Sequence, residues 1–600
     1  MLPHKSIEQR LRQSVLAVLP DADVSAVLVR PCPAAKFGDY QTNALMPLAK
    51  ARKLNPRQLA TDVLAKLDAS PWCEKVEIAG AGFLNFRLKT SAVCEALQSA
   101  ARGEHLFFAK SEQPRTIVVD FSSPNVAKPM HVGHIRSTIL GDCLARTLRL
   151  LGHHVITDNH LGDWGTQFGK LLVSWKQSLN PAALKSDPIA EMERLYKQIN
   201  AECKENPTTL ESARQELVQL QSGDAENLRI WREMIELSQK QFDAIYARLG
   251  VKFDYTYGES FYNPRLQALV QELLATGIAR ESEGALAIFF DDIPQLKEQP
   301  ALIRKSDGGF NYTTTDLATL AYRLETWRPD EIIYVTDARQ QLHFQQVFAA
   351  FRKWQSVLSE GRVPRDPDSG PKNLGRAELA PPKKEIKLAH VWFGSILGED
   401  GKPFKTRAGE TIRLADLLDE AEERAYRVVS EKSPALAEAT RREIARVVGL
   451  GAVKYADLLP NRQSDYTFSW DKMLSLTGNS APYLQYAYTR IRSIFRKGGS
   501  GIANCQLPIA NLTAPEEITL AKHLLNFGLV LEVAAEEYRP NFLCNYLFEL
   551  AGKFTAFYEH CPVLKAGDAT RLSRLAVCDL TAQVLKQGLD ALGIEVVEQM

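Results

Sequence analysis

The chain has 600 residues, 45% of them hydrophobic and 24% charged, with a formal net charge of +1. That length supports several domains with their own cores, and the even charge balance excludes a globally basic polyanion binder, so any nucleic-acid surface must be a local patch. No apolar run approaches the roughly 18 residues of a membrane span, the start lacks the apolar core of a signal peptide, and the cysteines show no Cys-x-x-Cys pair; a cytoplasmic protein without membrane contact, disulfide framework or structural zinc is expected.

Residues 1–105 read as a small α+β domain, with amphipathic helices over 7–19 and 56–67 and strands over 76–79 and 83–88. Between the helices, Phe37-Gly38-Asp39-Tyr40-Gln41-Thr42-Asn43 gathers aromatics, a glycine and amides in what reads as a loop. Locally it is a turn capping a helix over 44–52. Amides and an exposed ring would also suit unstacked loop bases of an RNA.

Residues 106–395 read as a Rossmann-like α/β domain. Ile117-Val118-Val119-Asp120 is a buried strand, Ser122-Ser123-Pro124-Asn125 a turn, and residues 135–151 a helix, because Ile139, Leu140, Leu144, Leu148 and Leu151 recur at helical spacing. Such a junction opens a parallel doubly wound sheet, whose ligands bind at the carboxyl ends of the strands. The helix start would offer unpaired N–H groups and its dipole to a polyphosphate, His131 and His134 two imidazole donors, and Gly133 room for a flat base. Two histidines three apart also share a helix face, so a zinc reading with His153, His154 or His160 stays open, though no cysteine or carboxylate stands at a matching spacing.

A polar helical insertion follows over about 171–260, with no chemistry assigned to it. A helix over 316–326 comes directly after Thr313-Thr314-Thr315, so that Thr315 or Asp316 would cap it. Tyr334 to His343 forms another strand–loop–helix junction, and residues 355–387, rich in Pro, Gly and charge, read as an exposed loop insertion. Residues 396–461 hold a basic loop, Gly398 to Gly409, which by itself could be a solvated hairpin, and connecting helices. Residues 462–600 are helical by periodicity; Tyr483, Tyr486 and Tyr488 stand at a spacing usual for core.

Taken whole, Asp120-Phe121-Ser122-Ser123-Pro124-Asn125-Val126-Ala127-Lys128-Pro129-Met130-His131-Val132-Gly133-His134-Ile135-Arg136 resembles the HIGH signature of class I aminoacyl-tRNA synthetases in the form peculiar to arginyl-tRNA synthetases. Asp158-Asn159-His160-Leu161-Gly162-Asp163-Trp164-Gly165 is also typical of that family, and Phe404-Lys405-Thr406-Arg407-Ala408-Gly409 resembles its degenerate KMSKS signature. The resemblance implies ATP as a substrate with Mg²⁺, L-arginine and a tRNA as partners, a monomer, a tRNA-elbow domain at 1–105 and a helical anticodon-binding domain at 462–600. It implies that His131, His134, Lys128 and Lys405 or Arg407 stabilise the phosphates; spacing does not choose between the last two. Ser122, Ser123, Gly133 and His343 would line the nucleotide. Asp120, Asn125, Tyr312, Asp316 and Gln340 would hold arginine, Asp316 gripping the guanidinium in a two-pronged pair, with the register between Gln340 and Gln341 open. Phe37, Asp39, Tyr40, Gln41 and Asn43, and Tyr486 and Arg490 in the last domain, would face tRNA. Two other classes compete: a related nucleotidyltransferase, which would have no use for the outer domains, and a non-catalytic tRNA-binding paralogue, which would have lost the phosphate ligands.

Overall fold

The computed structural model describes residues 2–359, 385–402, 404, 412–498, 507–509 and 512–600. They form two compact units, one of residues 112–423 with 456–470 and one of 1–111, 424–455 and 471–600.

The first unit is built on a five-stranded sheet whose order is Lys387–His390, Glu331–Tyr334, Thr116–Asp120, His154–Leu161, Tyr255–Gly258, parallel throughout. The chain enters at the central strand, winds to one side, then returns to wind to the other, so the reversal falls between Thr116–Asp120 and Glu331–Tyr334. Ligands of open α/β sheets bind at such a switch point. Ile117, Val118, Val119, Ile332 and Ile333 are fully buried, as a strand covered on both faces requires.

The helix after the central strand is Val132–Leu150 and starts three residues earlier than its apolar spacing suggests, because His131 caps it. The polar segment beyond residue 171 is helical as expected, and three of its helices open on Asn180-Pro181, Asp187-Pro188 and Asn206-Pro207. In each, the Asn or Asp side chain accepts from the first turn while proline fills a position whose N–H would have no partner. Trp175, Met192, Leu195, Ile230 and Met234 give it a small core of its own. Tyr255–Gly258, at the far end of that segment, is already a strand of the main sheet. The helix expected from residue 316 runs Tyr312–Trp327, which places Thr313, Thr314 and Thr315 inside it rather than at its cap. The expected exposed loop over 355–387 is shortened by the helix Gln341–Ser359 at one end; residues 360–384 lie outside the described residues.

In the second unit a four-stranded antiparallel sheet, in the order Arg30–Pro31, Tyr40–Thr42, Phe83–Leu88, Cys73–Ala79, packs with helices Pro3–Val18, Pro56–Leu64 and Thr90–Ala101. The helices Ala481–Gly498, Pro515–Leu524, Phe527–Glu536, Asn541–His560 and Asp568–Ala591 also belong to this unit, with most of Glu438–Leu458. Lys5 pairs with Glu532 at 2.8 Å and Lys522 with Asp39 at 2.9 Å across these two parts. Among the described residues, Pro515–Glu536 has the length and composition of a membrane-crossing helix. It is two helices broken at Leu525-Asn526, and most of it is buried in this unit, so its apolarity serves a core.

Candidate active site at the carboxyl edge of the parallel sheet

The loop after the central strand is irregular, with Ser122, Ser123 and Ala127 at φ of 73°, 47° and 61°. Left-handed backbone at residues other than glycine costs about 1–3 kcal/mol each and persists only where surroundings over-determine it. Those surroundings are visible. Ser122 N–H donates to Ser137 Oγ at 2.9 Å, Ser123 N–H to Asn159 Oδ1 at 3.1 Å, and Ala127 N–H to Ser238 Oγ at 2.9 Å. The Ser122 hydroxyl lies 2.8 Å from both Thr138 Oγ1 and Tyr246 Oη. Ser122 is therefore buried and its hydroxyl used inside the protein, which corrects its expected place beside the nucleotide. Ser123 donates its hydroxyl to Asp120 Oδ1 at 3.1 Å and is half-buried. Ser238 and Tyr246 belong to the last helix of the insertion, Ala225–Leu249, and Lys128 Nζ stands 4.8 Å from the Tyr196 ring of another. The segment without assigned chemistry thus shapes the signature loop.

The helix start also differs from expectation. Val132 N–H donates to Ile412 O at 3.0 Å, His134 N–H to His131 O at 2.8 Å, and Gly133 N–H to His131 Nδ1 at 3.1 Å, so the backbone donors are spent. His131 N–H in turn donates to His134 Nδ1 at 3.1 Å. Both imidazoles accept through Nδ1, so in their neutral form each carries its hydrogen on Nε2. Both are held neutral: burial, then Lys128 and Arg339, lower His131, and burial followed by His131 lowers His134 to about 3. The result is two neutral Nε2–H donors at the positive end of a helix. Gly133 has an immediate reason besides any base, since a Cβ there would stand 2.9 Å from the His131 ring.

Acidic groups gather on two helices that pack together, Tyr312–Trp327 and Glu259–Ala275. Asp316, one turn beyond Tyr312 on their helix, has its Oδ2 2.5 Å from His343 Nε2. Glu259, first residue of the helix after strand Tyr255–Gly258, is pushed up to about 8 by burial and then by the charges of Asp316 and Asp163. Tyr312, 67% exposed, is raised by burial and then by Glu259. A cation placed beside Glu259 would let that carboxyl ionise. Sequence reasoning missed Glu259, although its position just after a sheet strand was a usable signal. Asn125 is exposed and its Oδ1 lies where a Cβ on Gly162 would strike it, at 2.3 Å. Gln340 is exposed in the turn Ala338–Gln340, with Gln341 half-buried at the start of the next helix.

Asp120 is buried. Its Oδ2 is 2.5 Å from Nη2 of the fully buried Arg323, which also meets Asp158 at 2.7 Å. Both its oxygens are engaged, Oδ1 by the Ser123 hydroxyl and Oδ2 by the Arg323 guanidinium. Arg136, likewise buried, pairs with Asp457 at 3.0 Å and donates to Gly394 O, tying the signature helix to the segment that ends the unit. Lys405 and Arg407 lie outside the described residues. Just beyond them Arg413 bridges His131 by backbone and pairs with Glu193 at 3.0 Å.

In the other unit, Phe37 to Asn43 is a short turn and the strand Tyr40–Thr42 rather than a loop. Tyr40 is 1% exposed and packs on His4, so the exposed ring is that of Phe37, 43% exposed. This corrects Tyr40 as a base-stacking residue. Asp39 Oδ2 accepts from Leu88 N–H at 2.7 Å and from Lys522. Gln41 is half-buried and Asn43 exposed. Tyr486 is exposed, and the Arg490 guanidinium stands 4.5 Å from the Tyr558 ring.

A parallel sheet with a paired-histidine helix start at its switch point is the framework of the class I aminoacyl-tRNA synthetases, and the family model for tRNA synthetases class I (R), catalytic domain, matches residues 96–362 and 376–470. The arginyl-tRNA synthetase N-terminal domain matches 4–88 and the DALR anticodon binding domain 484–600. The chain is 45% identical to the arginine–tRNA ligase of Salmonella agona over 600 residues, 99% of each chain. Its fold is similar to the arginyl-tRNA synthetase of Thermus thermophilus, at a TM-score of 0.81 and 26% identity over 100% of both chains. It is also similar to that of Plasmodium falciparum, at 0.80 and 29% over 100% and 99%. The chain belongs to the arginyl-tRNA synthetase family.

Proposed function

We propose that this chain activates L-arginine with ATP and transfers it to the terminal ribose of its tRNA through the residues just described. The arginine carboxylate attacks the α-phosphorus and pyrophosphate leaves; the ribose hydroxyl then attacks the arginyl carbonyl and AMP leaves. Little covalent chemistry falls to the protein, which aligns the reactants and stabilises charge where it develops. His131 and His134 donate Nε2–H to the phosphates, Lys128 and Lys405 or Arg407 add positive charge, and Gly133 and His343 border the nucleotide. Asp316 and Glu259 take the guanidinium, with Tyr312, Asn125 and Gln340 around the rest of the amino acid. Among the described residues no group of three His, Cys, Asp or Glu side chains is placed to hold a metal, so Mg²⁺ would arrive on the ATP phosphates, whose charge it offsets. Phe37, Gln41 and Asn43 offer the elbow contact and Tyr486 the anticodon one. The enzyme works as a cytoplasmic monomer.

The observation that carries this reading is one edge of one sheet holding two neutral donors at a helix start beside a pair of carboxyls poised for a cation. Arginine charging of total tRNA, with every other amino acid tested in turn, checks the reaction. Asp316→Asn checks the pocket: it keeps the shape and removes the charge, so arginine should bind about 1.5–3 kcal/mol more weakly, the usual worth of a hydrogen bond to a charged group. Neutral citrulline should lose much less, and equal losses would place the guanidinium elsewhere.

A further inference from the structure

The Asp316–His343 pair has a consequence for how arginine enters. A half-buried carboxylate without a counter-charge is costly, and here both pocket carboxyls are balanced from within. Glu259 keeps its proton near neutral pH, and Asp316 is closed on an imidazole nitrogen 2.5 Å away. The pair's side chains are 28% and 20% exposed, so the ring can turn away without opening the core. His343 sits on the helix Gln341–Ser359 and Asp316 on Tyr312–Trp327, so the contact joins two elements that each border the site.

We propose that His343 is an internal stand-in for the substrate's guanidinium: its protonated ring holds Asp316 in the empty enzyme, and arginine takes over that carboxylate, releasing the ring and its proton to solvent. This rests on the assignment of Asp316 to the guanidinium. A planar guanidinium binds a carboxylate with two parallel hydrogen bonds where the imidazole makes one, which favours the exchange. The released ring, neutral, is left with a free nitrogen beside the place given to ATP, so arginine binding would prepare the nucleotide side.

The exchange predicts a proton count. Burial lowers His343, but the hydrogen bond and charge of Asp316 outweigh it and leave it raised above its ordinary value. The other ionisable groups around the pair are His390 on strand Lys387–His390, itself lowered to about 4, and Tyr334 and Glu259, both facing Asp316. His390 and Tyr334 stay neutral from pH 6 to 8. Glu259 is the second possible proton source, since a guanidinium would ionise it. Between the pKa of the released ring and the raised pKa of the ring closed on Asp316, arginine affinity should therefore rise as pH rises, up to about tenfold per pH unit for each proton released.

Calorimetry of arginine binding to the full chain at pH 6.5, in two buffers of different ionisation enthalpy, counts the protons. The wild-type enzyme should release protons; His343→Gln should release fewer by the His343 share and bind arginine about 3–10-fold tighter at pH 6 with a flatter pH profile. Glu259→Gln should keep the His343 share. His343→Asn, checked for an unchanged unfolding transition, guards against a folding defect in the first variant. Equal release and equal pH slope in wild type and both His343 variants would overturn the exchange while Asp316→Asn still weakens arginine. Unchanged arginine affinity in Asp316→Asn would instead remove the guanidinium assignment, and the exchange with it.

Discussion

Two short motif segments, one in each unit, spend their side chains differently. In Phe121 to His134 the backbone takes three left-handed residues, and side chains from several elements hold it: Ser137 and Thr138 from the signature helix, Asn159 from the next strand, Ser238 and Tyr246 from the insertion. In Phe37 to Asn43 the ladder does that work, with Tyr40 opposite Phe86 and Gln41 opposite Asn85, and only Gly38, at φ 125°, is special. In both, most motif letters build the segment and few are left over for a ligand. The difference lies in what failure costs. A loop held by side chains loses geometry when one partner goes, whereas a strand end held by backbone loses only stability.

The largest effect should come from the buried centre beneath the first segment. Arg323→Met leaves Asp120 and Asp158 facing each other without their shared cation, at a cost of about 3–5 kcal/mol. Thermal and urea unfolding of the full chain should show it, with activity falling because Asp120 anchors Ser123. An unchanged unfolding curve would mean that the triad does not support the loop.

Next in size, His131→Ala or His134→Ala should slow adenylate formation by about 10²-fold with little change in arginine binding, since donors aimed at developing charge act on the rate most. Each change also removes one half of the reciprocal cap. The pH response separates the two roles. His134, lowered to about 3 in the folded protein, remains a neutral donor from pH 8 to 6, and the rate should show no loss there from its protonation, while His131 is shifted in the same direction. Stability should fall as pH drops below about 6.5, the ordinary histidine value, because the unfolded chain then binds protons that the folded one refuses. A rate that tracks a histidine titration near 6.5 would contradict this.

The second segment should respond in the opposite currency. Gly38→Ala forces a Cβ to 2.8 Å from Phe86 O at a left-handed φ, costing about 1–3 kcal/mol of stability. Phe37→Ala should leave stability within about 0.5 kcal/mol. It should nonetheless weaken tRNA by about 1–3 kcal/mol if its ring stacks a base. Filter binding of tRNA beside melting curves would tell them apart; a Phe37→Ala protein that binds tRNA normally removes that ring from the interface. Smallest, Asp39→Asn removes a charged pair with Lys522 that is partly open to solvent, and should cost no more than about 1 kcal/mol in melting experiments, less in high salt.

By itself the sequence determined the elements and the chemistry class. β-branched runs, helical spacing and Asn-Pro or Asp-Pro starts are local signals, so the strands at 116–120 and 83–88, the signature helix and the helical insertion were legible within a few residues, and the resemblance carried by His131 to His134 pointed to the family. What only the tertiary structure decided is which polar side chains remain available. Asp120 and Asp316 are both acids in motif segments, yet one is closed on Arg323, more than 200 residues away, and the other on a half-buried histidine. Ser122 and Tyr40 look like ligand residues in a motif and are buried in fact. Tyr246, Ser238 and Glu259 look ordinary in sequence and shape or line the site. Availability depends on burial and on partners distant in the chain, and pairwise contacts over such separations leave no local pattern in the sequence.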